Sequence, residues 1–453
     1  MPSENARQTP EVFESPPPSA GMEDTGSFLP GDFERQYEEL FAEALAEGEI
    51  TPQERERLDL AAAALGLEAE RVRRVENALF AAYEAHAAIT LVEHADPSSL
   101  ADEAPHTARP NSDLGDEDDR PTPIAMLAAI PDDETLLHER FAEGGRAKDR
   151  DTQYRVAAVL VRRNQARAEE KRVYQAHCFE GPPKPLRSLT TDAWNRLFHP
   201  DVDRATGDIF AVIASAALLG RVSAMRRDHS LPVLDADKRH DAHSSTVSAV
   251  RAIAWAATTL GLRTPPIFVD AAETLPFEIL PALPPAIRLG GPMLSGQTAT
   301  QLAFHCGRQL TWFREEHFVC TLVPSIAYLE ELFLAAMSVG APHIELLPEV
   351  RARIALVAEA IVPVLDEARL GRLRHQVARF MEAGGRTSLR RWAQAAEWTA
   401  LRAGLLLCGD LETACKAVQG ETNAADRIAE LERFWASDDA AFLRHELGIA
   451  IAT

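Results

Sequence analysis

Cysteine is scarce in this chain: five occur among 453 residues, and no two of them form a CxxC pair. They are Cys178, Cys306, Cys320, Cys408 and Cys415. A disulfide framework needs regularly spaced cysteines, and a zinc ribbon needs paired CxxC motifs. The scattered cysteines therefore suit reduced, mostly buried thiols better than either of these arrangements.

Long apolar runs are also missing. No stretch of about 18 consecutive apolar residues is present, so no membrane-spanning helix is expected. The N-terminal stretch MPSENARQTPEVFESPPPSAG lacks both the basic start and the apolar core of a secretory signal peptide. We therefore expect a cytoplasmic protein.

Positive charge is in short supply in the first third of the chain. The net charge is −22, and residues 1–150 carry 34 acidic and 13 basic side chains, a balance of −21. The remaining 303 residues hold 35 acidic and 34 basic side chains and are nearly neutral. Because a strongly negative segment repels phosphate backbones, nucleic-acid binding through the first third is not expected.

Composition and hydrophobic periodicity divide the chain into five parts. Pro, Glu and Ser dominate the start, and the acidic stretch DPSSLADEAPHTARPNSDLGDEDDRPTP can bury little apolar surface. Helical patterns fill most of the rest. The parts are a disordered tail (1–30), a helical bundle (31–95), an acidic disordered linker (96–123), a helical segment (124–181) and a large helical body (182–453).

The bundle contains a well-marked helix start in the stretch ITPQERERLDLAAAALG. Pro52 suits the first turn of a helix, and Glu54 can complete a capping box with Thr51. Leu58 and Ala62 continue one apolar face. The overlapping stretch LAEGEITPQERERL resembles the helix-loop-helix of TerB-like domains, which implies a small helical bundle here.

The later parts of the chain indicate the fold class. Residues 124–181 contain short helices separated by EGGRAKD and RRNQ, which resemble degenerate tetratricopeptide units. Between residues 264 and 295 the pattern changes to short extended pieces, PPIFVD, FEILPAL and AIRLG, punctuated by Pro and Gly. We predict a mainly α, multi-domain helical protein with a small sheet of about three strands in the C-terminal body.

Two stretches of the body, PMLSGQTATQLAFHCGRQL and AAEWTALRAGLLLCGD, resemble the catalytic core of gluzincin metallopeptidases of the membrane-processing type. In that family an HExxH helix supplies two zinc-binding His and a catalytic Glu, and a later helix supplies a third ligand, Glu. The body also resembles uncharacterised proteins of high-GC bacteria labelled as tetratricopeptide-repeat proteins, through GRQLTWFREEHF, RRWAQAAEWTALRAGLLLCGDLETA and FLRHELGIAI. This second resemblance implies no known activity.

The first metallopeptidase motif is degenerate in both possible alignments. With Gly307 on the family's glycine, Phe304 and Arg308 take the two His positions. His305 then takes the position of the Glu. With His305 as the first ligand instead, Cys306 replaces the general base and a Gln replaces the second His. Either alignment loses the base and at least one strong ligand, and the first puts a guanidinium cation where Zn²⁺ would bind.

The third-ligand motif is better preserved. The resemblance places Glu397 on the ligand Glu, whereas Leu401 replaces the Asp that would support it. A buried Glu397 needs a partner, and Arg308 is the obvious cation, so we predict an ion pair between them in place of the metal. The alternative is that Glu397 is a solvated helix residue.

These residues predict a pseudoenzyme: a non-catalytic scaffold or regulatory protein, without metal or cofactor, that binds protein partners through helical surfaces. One alternative is a zinc metallopeptidase with unusual ligands. Another is nucleic-acid binding through arginine-rich helices, although no interleaved aromatic platform accompanies the arginines, which favours a solvated or intramolecularly paired face. These arginines are Arg369, Arg372, Arg379, Arg390 and Arg391.

Overall fold

The structure is a computed structural model that describes residues 134–178, 181–242, 244–323 and 325–452. Before these it describes the helix Pro52–Ala64 and single positions between residues 13 and 77. The predicted linker lies outside the described residues, as do most of the predicted tail and bundle.

The predicted helix in the bundle is present. Helix α1 runs over Pro52–Ala64 and buries Leu58 and Ala62, as the apolar periodicity predicts. Elsewhere in the bundle, the rings of Tyr37 and Phe41 stack with their centroids 6.3 Å apart. The other elements of a TerB-like topology lie outside the described residues, so that resemblance stays a prediction.

Helices dominate the described residues, where 17 α-helices and three 3-10 turns are present. After α1, the N-terminal group comprises α2 (Glu134–Ala147), α3 (Arg150–Arg162) and α4 (Ala168–His177). The body begins with α5 (Thr191–Leu197), α6 (Arg204–Arg227) and α7 (Ser248–Thr259). It continues after a small sheet with α8 (Gly291–Leu294), α9 (Ala299–Leu310), α10 (Glu315–Phe318), α11 (Ile326–Gly340), α12 (Pro348–Val364), α13 (Glu367–Glu382), α14 (Leu389–Cys408), α15 (Leu411–Val418), α16 (Ala424–Trp435) and α17 (Asp438–Glu446). The predicted mainly α fold is confirmed.

Helix α6 lies at the centre of the body and packs against α10, α11, α12 and α13. By length and composition alone, it is the one helix among the described residues that could cross a membrane. The search for uninterrupted apolar runs missed it because Ser215 and Gly220 interrupt the run. Since 61% of its most apolar window is buried inside the protein, α6 has the burial expected of a core helix.

A four-stranded sheet interrupts the helices of the body. The three predicted strands are confirmed as β2 (Ile267–Asp270), β3 (Phe277–Leu280) and β4 (Ala286–Gly290), and a fourth strand, β1 (Arg239–His240), precedes them. β4 pairs in parallel with β2 and antiparallel with β3, and β1 lies antiparallel to β2 at the edge. The sequence did not indicate β1, because two residues are too few to show strand periodicity.

A buried ion network joins the N-terminal helical group to the last helix of the body. The Asp151 carboxylate on α3 accepts hydrogen bonds from the guanidinium groups of Arg155 and Arg444, each at 2.9 Å. It also accepts one from the Ile451 backbone N–H at 3.0 Å. The three charged side chains are at most 6% exposed. The predicted parts on either side of residue 181 therefore share one buried core.

Two positions of the predicted disordered tail are buried, and one of them, Phe13, packs against the body. Phe13 is 9% exposed, and the centroid of its ring lies 5.4 Å from that of Trp255 on α7. Pro16 is also buried, whereas Ser15 is exposed. Burial of the Phe13 ring against Trp255 stabilises this contact, and the rest of the predicted tail lies outside the described residues.

Candidate functional site

The two stretches that resemble metallopeptidase motifs form helices α9 and α14, which cross at close range. Helix α9 begins at a capping box, in which the Thr298 and Gln301 side chains each accept a hydrogen bond from the other residue's backbone N–H. Gly307 of α9 and Gly404 of α14 allow the helices to touch. A Cβ on Gly404 would lie only 2.8 Å from the Phe304 carbonyl oxygen. The motif glycine therefore lies at the helix crossing.

Gly404→Ala is expected to lower the free energy of unfolding by about 1–3 kcal/mol, because the new methyl group meets the backbone of α9. Gly371→Ala on α13 is the matched control, since no described atom lies within 4 Å of the added Cβ. It is expected to stabilise the protein by about 0.5–1 kcal/mol, because Ala is a better helix former than Gly. Urea unfolding measures both changes, and equal effects would contradict the close crossing.

The predicted contact between Arg308 and Glu397 is present at this crossing. Nη2 of Arg308 lies 3.4 Å from Oε1 of Glu397. Glu421 holds the same guanidinium more closely, with its two carboxylate oxygens 2.5 Å from Nη1 and 3.0 Å from Nη2. Nη1 of Arg427 lies 2.6 Å from Glu397 and 3.2 Å from Glu421. The predicted pair is thus part of an ion cluster formed by these four residues.

Opposite charges balance within the ion cluster. Its arginine side chains are 15% exposed and its carboxylates are 31–32% exposed. A divalent cation here would face two fixed positive charges at short range, and both carboxylates already bind guanidinium groups. The described part of the chain contains no group of three or more His, Cys, Asp and Glu side chains that could hold a metal ion. The geometry suits a structural ion cluster better than a metal centre.

The other predicted site residues contribute mainly to packing. Phe304 and Leu401 are fully buried in the core. Cys306 is also buried, and burial raises the pKa of its thiol far above the ordinary value, which disfavours a thiolate ligand or nucleophile. His305 is half-buried, and burial together with the Arg308 charge lowers the pKa of its imidazole. Both groups are therefore uncharged at neutral pH.

The sequence did not indicate the other half of the ion cluster. Glu421 precedes α16 and Arg427 lies in its first turns, within the stretch GETNAADR. Glu421 is separated from Arg308 by 113 positions. An acidic and a basic residue around a helix start are the pattern expected of a solvated helix end. Their role in the cluster follows only from the tertiary structure.

A second buried cluster surrounds Glu430 on α16. Burial alone would raise the pKa of this carboxyl, but the hydrogen bond with His199 and the Arg402 charge outweigh burial and lower the pKa to about 2. Nη2 of Arg402 lies 2.6 Å and Nη1 of Arg433 lies 2.9 Å from the carboxylate. Shifted pKa values mark functional sites in many proteins. Here the partners fix the carboxylate in its charged form, which is typical of a structural clamp.

A groove of about 860 Å³ opens between α11, the end of α13 and the start of α14. Its lining includes the apolar side chains of Phe333, Met337 and Phe380 and the exposed side chains of Arg386 and Arg390. Binding clefts in proteins commonly have volumes of roughly 300–1,000 Å³. The lining also includes one exposed carboxylate, Glu330. The groove therefore offers a cleft of ordinary size with apolar walls, two exposed arginines and one acidic side chain.

The arginines of the predicted basic helices are exposed on α13 and α14. Two of these arginines make long contacts with residues of α6. Arg379 lies 3.8 Å from the Asp208 carboxylate, and Arg369 donates a hydrogen bond to the Ser215 hydroxyl at 3.3 Å. The face is thus mostly solvated, which is one of the two arrangements expected for it. Arg390 belongs both to this face and to the edge of the groove.

The chain matches no protein-family model, no curated protein and no solved structure. The resemblances to TerB-like domains, tetratricopeptide units and gluzincin metallopeptidases therefore stay predictions from the sequence.

Proposed function

We propose that this chain is a cytoplasmic, non-catalytic scaffold or regulatory protein that binds protein partners through its helical surfaces. The observation that carries the proposal is the ion cluster at the crossing of α9 and α14. A hydrolytic zinc site needs an open coordination position for water and a general base beside it. Here the Arg308 guanidinium binds Glu397 and Glu421 instead. These contacts support a body in which the metallopeptidase-like site has been replaced by a structural one.

The residues that line the groove between α11, α13 and α14 indicate the chemistry of the partner segment that would bind there. Its apolar lining by Phe333, Met337 and Phe380 suits the apolar stripe of an amphipathic helix. Its edge carries Arg386 and Arg390, which suit acidic residues beside that stripe. We therefore propose an acidic amphipathic helix as the partner segment.

Selection of displayed random peptides on the full-length protein tests this proposal, and we expect acidic amphipathic sequences to be enriched. Met381→Asp in the groove is expected to weaken their binding at least about tenfold, because it removes apolar contact and repels acidic residues. Val362→Asp on α12 is the matched control, since Val362 is 48% exposed and Met381 is 47% exposed. The control variant is expected to bind the peptides as the wild type does.

Three outcomes would contradict the proposal. Peptides that bind Met381→Asp as tightly as wild type would exclude the groove as the site. Stoichiometric zinc in the purified protein, lost in Glu397→Ala, would favour the zinc metallopeptidase. Retention on heparin that weakens steeply with salt would favour nucleic-acid binding by the exposed arginines.

A further inference from the structure

A cavity of about 380 Å³ lies where α3, the segment that follows α4 and the ends of α14 and α17 meet. It shares no lining residue with the groove between α11, α13 and α14. Tyr154 of α3 forms part of its wall, and Pro182 and Pro183 of the segment after α4 form another part. Ligand pockets commonly have volumes of roughly 300–1,000 Å³, so this cavity is large enough for a small molecule.

One wall of the cavity is the C-terminal end of α14. Gly409 ends this helix in the left-handed conformation, with a φ of 68°. A Cβ on Gly409 would lie only 3.0 Å from Cδ of Pro183, so the segment after α4 passes directly over the helix end. The Gly409 carbonyl accepts a hydrogen bond from the Tyr154 hydroxyl at 3.5 Å. Because the C-terminus of a helix carries partial negative charge, this wall favours a hydrogen-bond donor or a cation.

Arg444 supplies a positive group in the lining, and its side chain is only 2% exposed. Its Nε and Nη2 atoms bind the Asp151 carboxylate, and Nη2 also donates to the Ile449 carbonyl, whereas Nη1 makes no hydrogen bond with any described residue. The single carboxylate of Asp151 also binds Arg155, so the buried network carries one excess positive charge. Lys184, which is exposed, lines the cavity as well. An anionic ligand group is therefore favoured at this end.

Asp410 supplies a negative group in the same lining. Its Oδ2 atom caps α15 by accepting hydrogen bonds from the backbone N–H and the hydroxyl of Thr413, and its Oδ1 atom has no hydrogen-bond partner in the described part of the chain. Burial raises the pKa of Tyr154, and the charges of Arg444 and Asp410 act on that pKa in opposite directions. The two charged groups thus lie near the same hydroxyl, and the cavity has a positive and a negative end.

We propose that this cavity is a binding site for a small amphoteric molecule of the amino-acid class. The ligand carboxylate binds Arg444 and Lys184, and the ligand ammonium group binds Asp410 and the end of α14. Ile449 offers an apolar contact to the ligand side chain. The lining comes from both the N-terminal helical group and the body, so a bound ligand stabilises their packing. This site is separate from the partner groove and adds a second ligand to the protein.

Thermal unfolding of the full-length protein with each standard amino acid in turn tests this inference. We expect at least one of them to raise the Tm, because a ligand that binds only the folded state stabilises it. Isothermal titration calorimetry then gives the Kd of that amino acid. The carboxylic acid that lacks its amino group and the amine that lacks its carboxyl group are each expected to bind at least about tenfold more weakly, because each leaves a charged group of the cavity without a partner.

Two variants of the lining test the position of the ligand. Asp410→Asn removes the negative charge and keeps the cap of α15, since Asn caps helices about as well as Asp, and is expected to weaken binding at least about tenfold. Asp366→Asn makes the same exchange at the cap of α13, away from the cavity, and is expected to bind as the wild type does. Lys184→Ala is expected to weaken binding several-fold, whereas Lys171→Ala, at an exposed position of α4 outside the lining, is its control.

Three results would overturn the inference. The first is a Tm that no amino acid raises. The second is an amino acid that binds Asp410→Asn and Lys184→Ala as tightly as the wild type, because the ligand would then lie elsewhere. The third is a carboxylic acid without an amino group that binds as tightly as the amino acid, because the negative end of the cavity would then take no part in recognition.

Discussion

Asp151→Asn is expected to lower the free energy of unfolding by about 3–5 kcal/mol, the range for breaking a buried ion pair by removing one charge. The Asp151 carboxylate lies between the guanidinium groups of Arg155 and Arg444, and all three side chains are nearly inaccessible to water. Burial would raise the pKa of this carboxyl, but the charges of Arg444 and Arg155 outweigh burial and lower it. An amide of the same shape leaves two buried cations without a counter-charge.

Urea unfolding, followed by circular dichroism, measures this loss, and a neighbouring residue provides the control. Asp149 caps the start of α3 by accepting a hydrogen bond from the Thr152 N–H. Asn caps helices about as well as Asp, so Asp149→Asn is expected to change stability by no more than a few tenths of a kcal/mol. A loss below about 1 kcal/mol in Asp151→Asn, the size of an exposed pair, would show that the network contributes little.

Lowering the pH from 7 to 4 is expected to remove up to about 3 kcal/mol of stability through His317 alone. His317 on α10 is fully buried, and the rings of Phe198, Trp312 and Trp392 lie 5.5–6.3 Å away, centroid to centroid. Burial lowers the pKa of this imidazole from 6.5 to about 4, and the nearby Glu316 carboxylate offsets only part of the effect.

The direction of this effect follows from proton binding. The unfolded chain binds a proton at His317 below about pH 6.5, whereas the folded protein does so only near pH 4. Stability is therefore fully present above pH 6.5 and is lost as the pH falls towards 4. Glu430, with its pKa lowered to about 2, contributes a loss only below its ordinary value of 4.5.

The difference between variant and wild type isolates the His317 contribution. His317→Leu keeps an apolar side chain among these rings, and its stability is expected to fall less steeply than that of the wild type between pH 6.5 and 4.5. The loss that remains includes the contribution of His305, whose pKa is also lowered. His343→Leu, at an exposed position, is expected to keep the wild-type pH dependence. Denaturant midpoints at closely spaced pH values provide the measurement. Parallel pH profiles of the wild type and His317→Leu would exclude the proposed origin of the acid loss.

Local sequence patterns were sufficient for much of the fold. The strands β2, β3 and β4 form in short stretches between prolines and glycines. Pro and Gly interrupt helices, and the stretches between them are too short for a helix of ordinary length. The contact between Arg308 and Glu397 was predictable from the resemblance, which placed both residues on facing helices. An ion pair was then the expected outcome, because a partly buried carboxylate needs a charged or hydrogen-bonding partner.

Contacts between distant parts of the chain could not be predicted in this way. Asp151 and Arg444 are 293 positions apart, and each looks like an ordinary charged residue on an amphipathic helix. Phe13 lies in a stretch whose composition predicts disorder, and only its partner Trp255 explains its burial. Periodicity records which face of an element is buried. It does not record which other element covers that face.

The bridge between Asp151 and the residues from 444 to 451 has a consequence for the order of events on the ribosome. The carboxylate obtains most of its partners only after residue 451 has been synthesised and has left the exit tunnel. Until then α3 must keep Asp151 and Arg155 hydrated, so the nascent helical group cannot settle into its final position. Emergence of residues 444–451 is thus required before α3 can take its final packing.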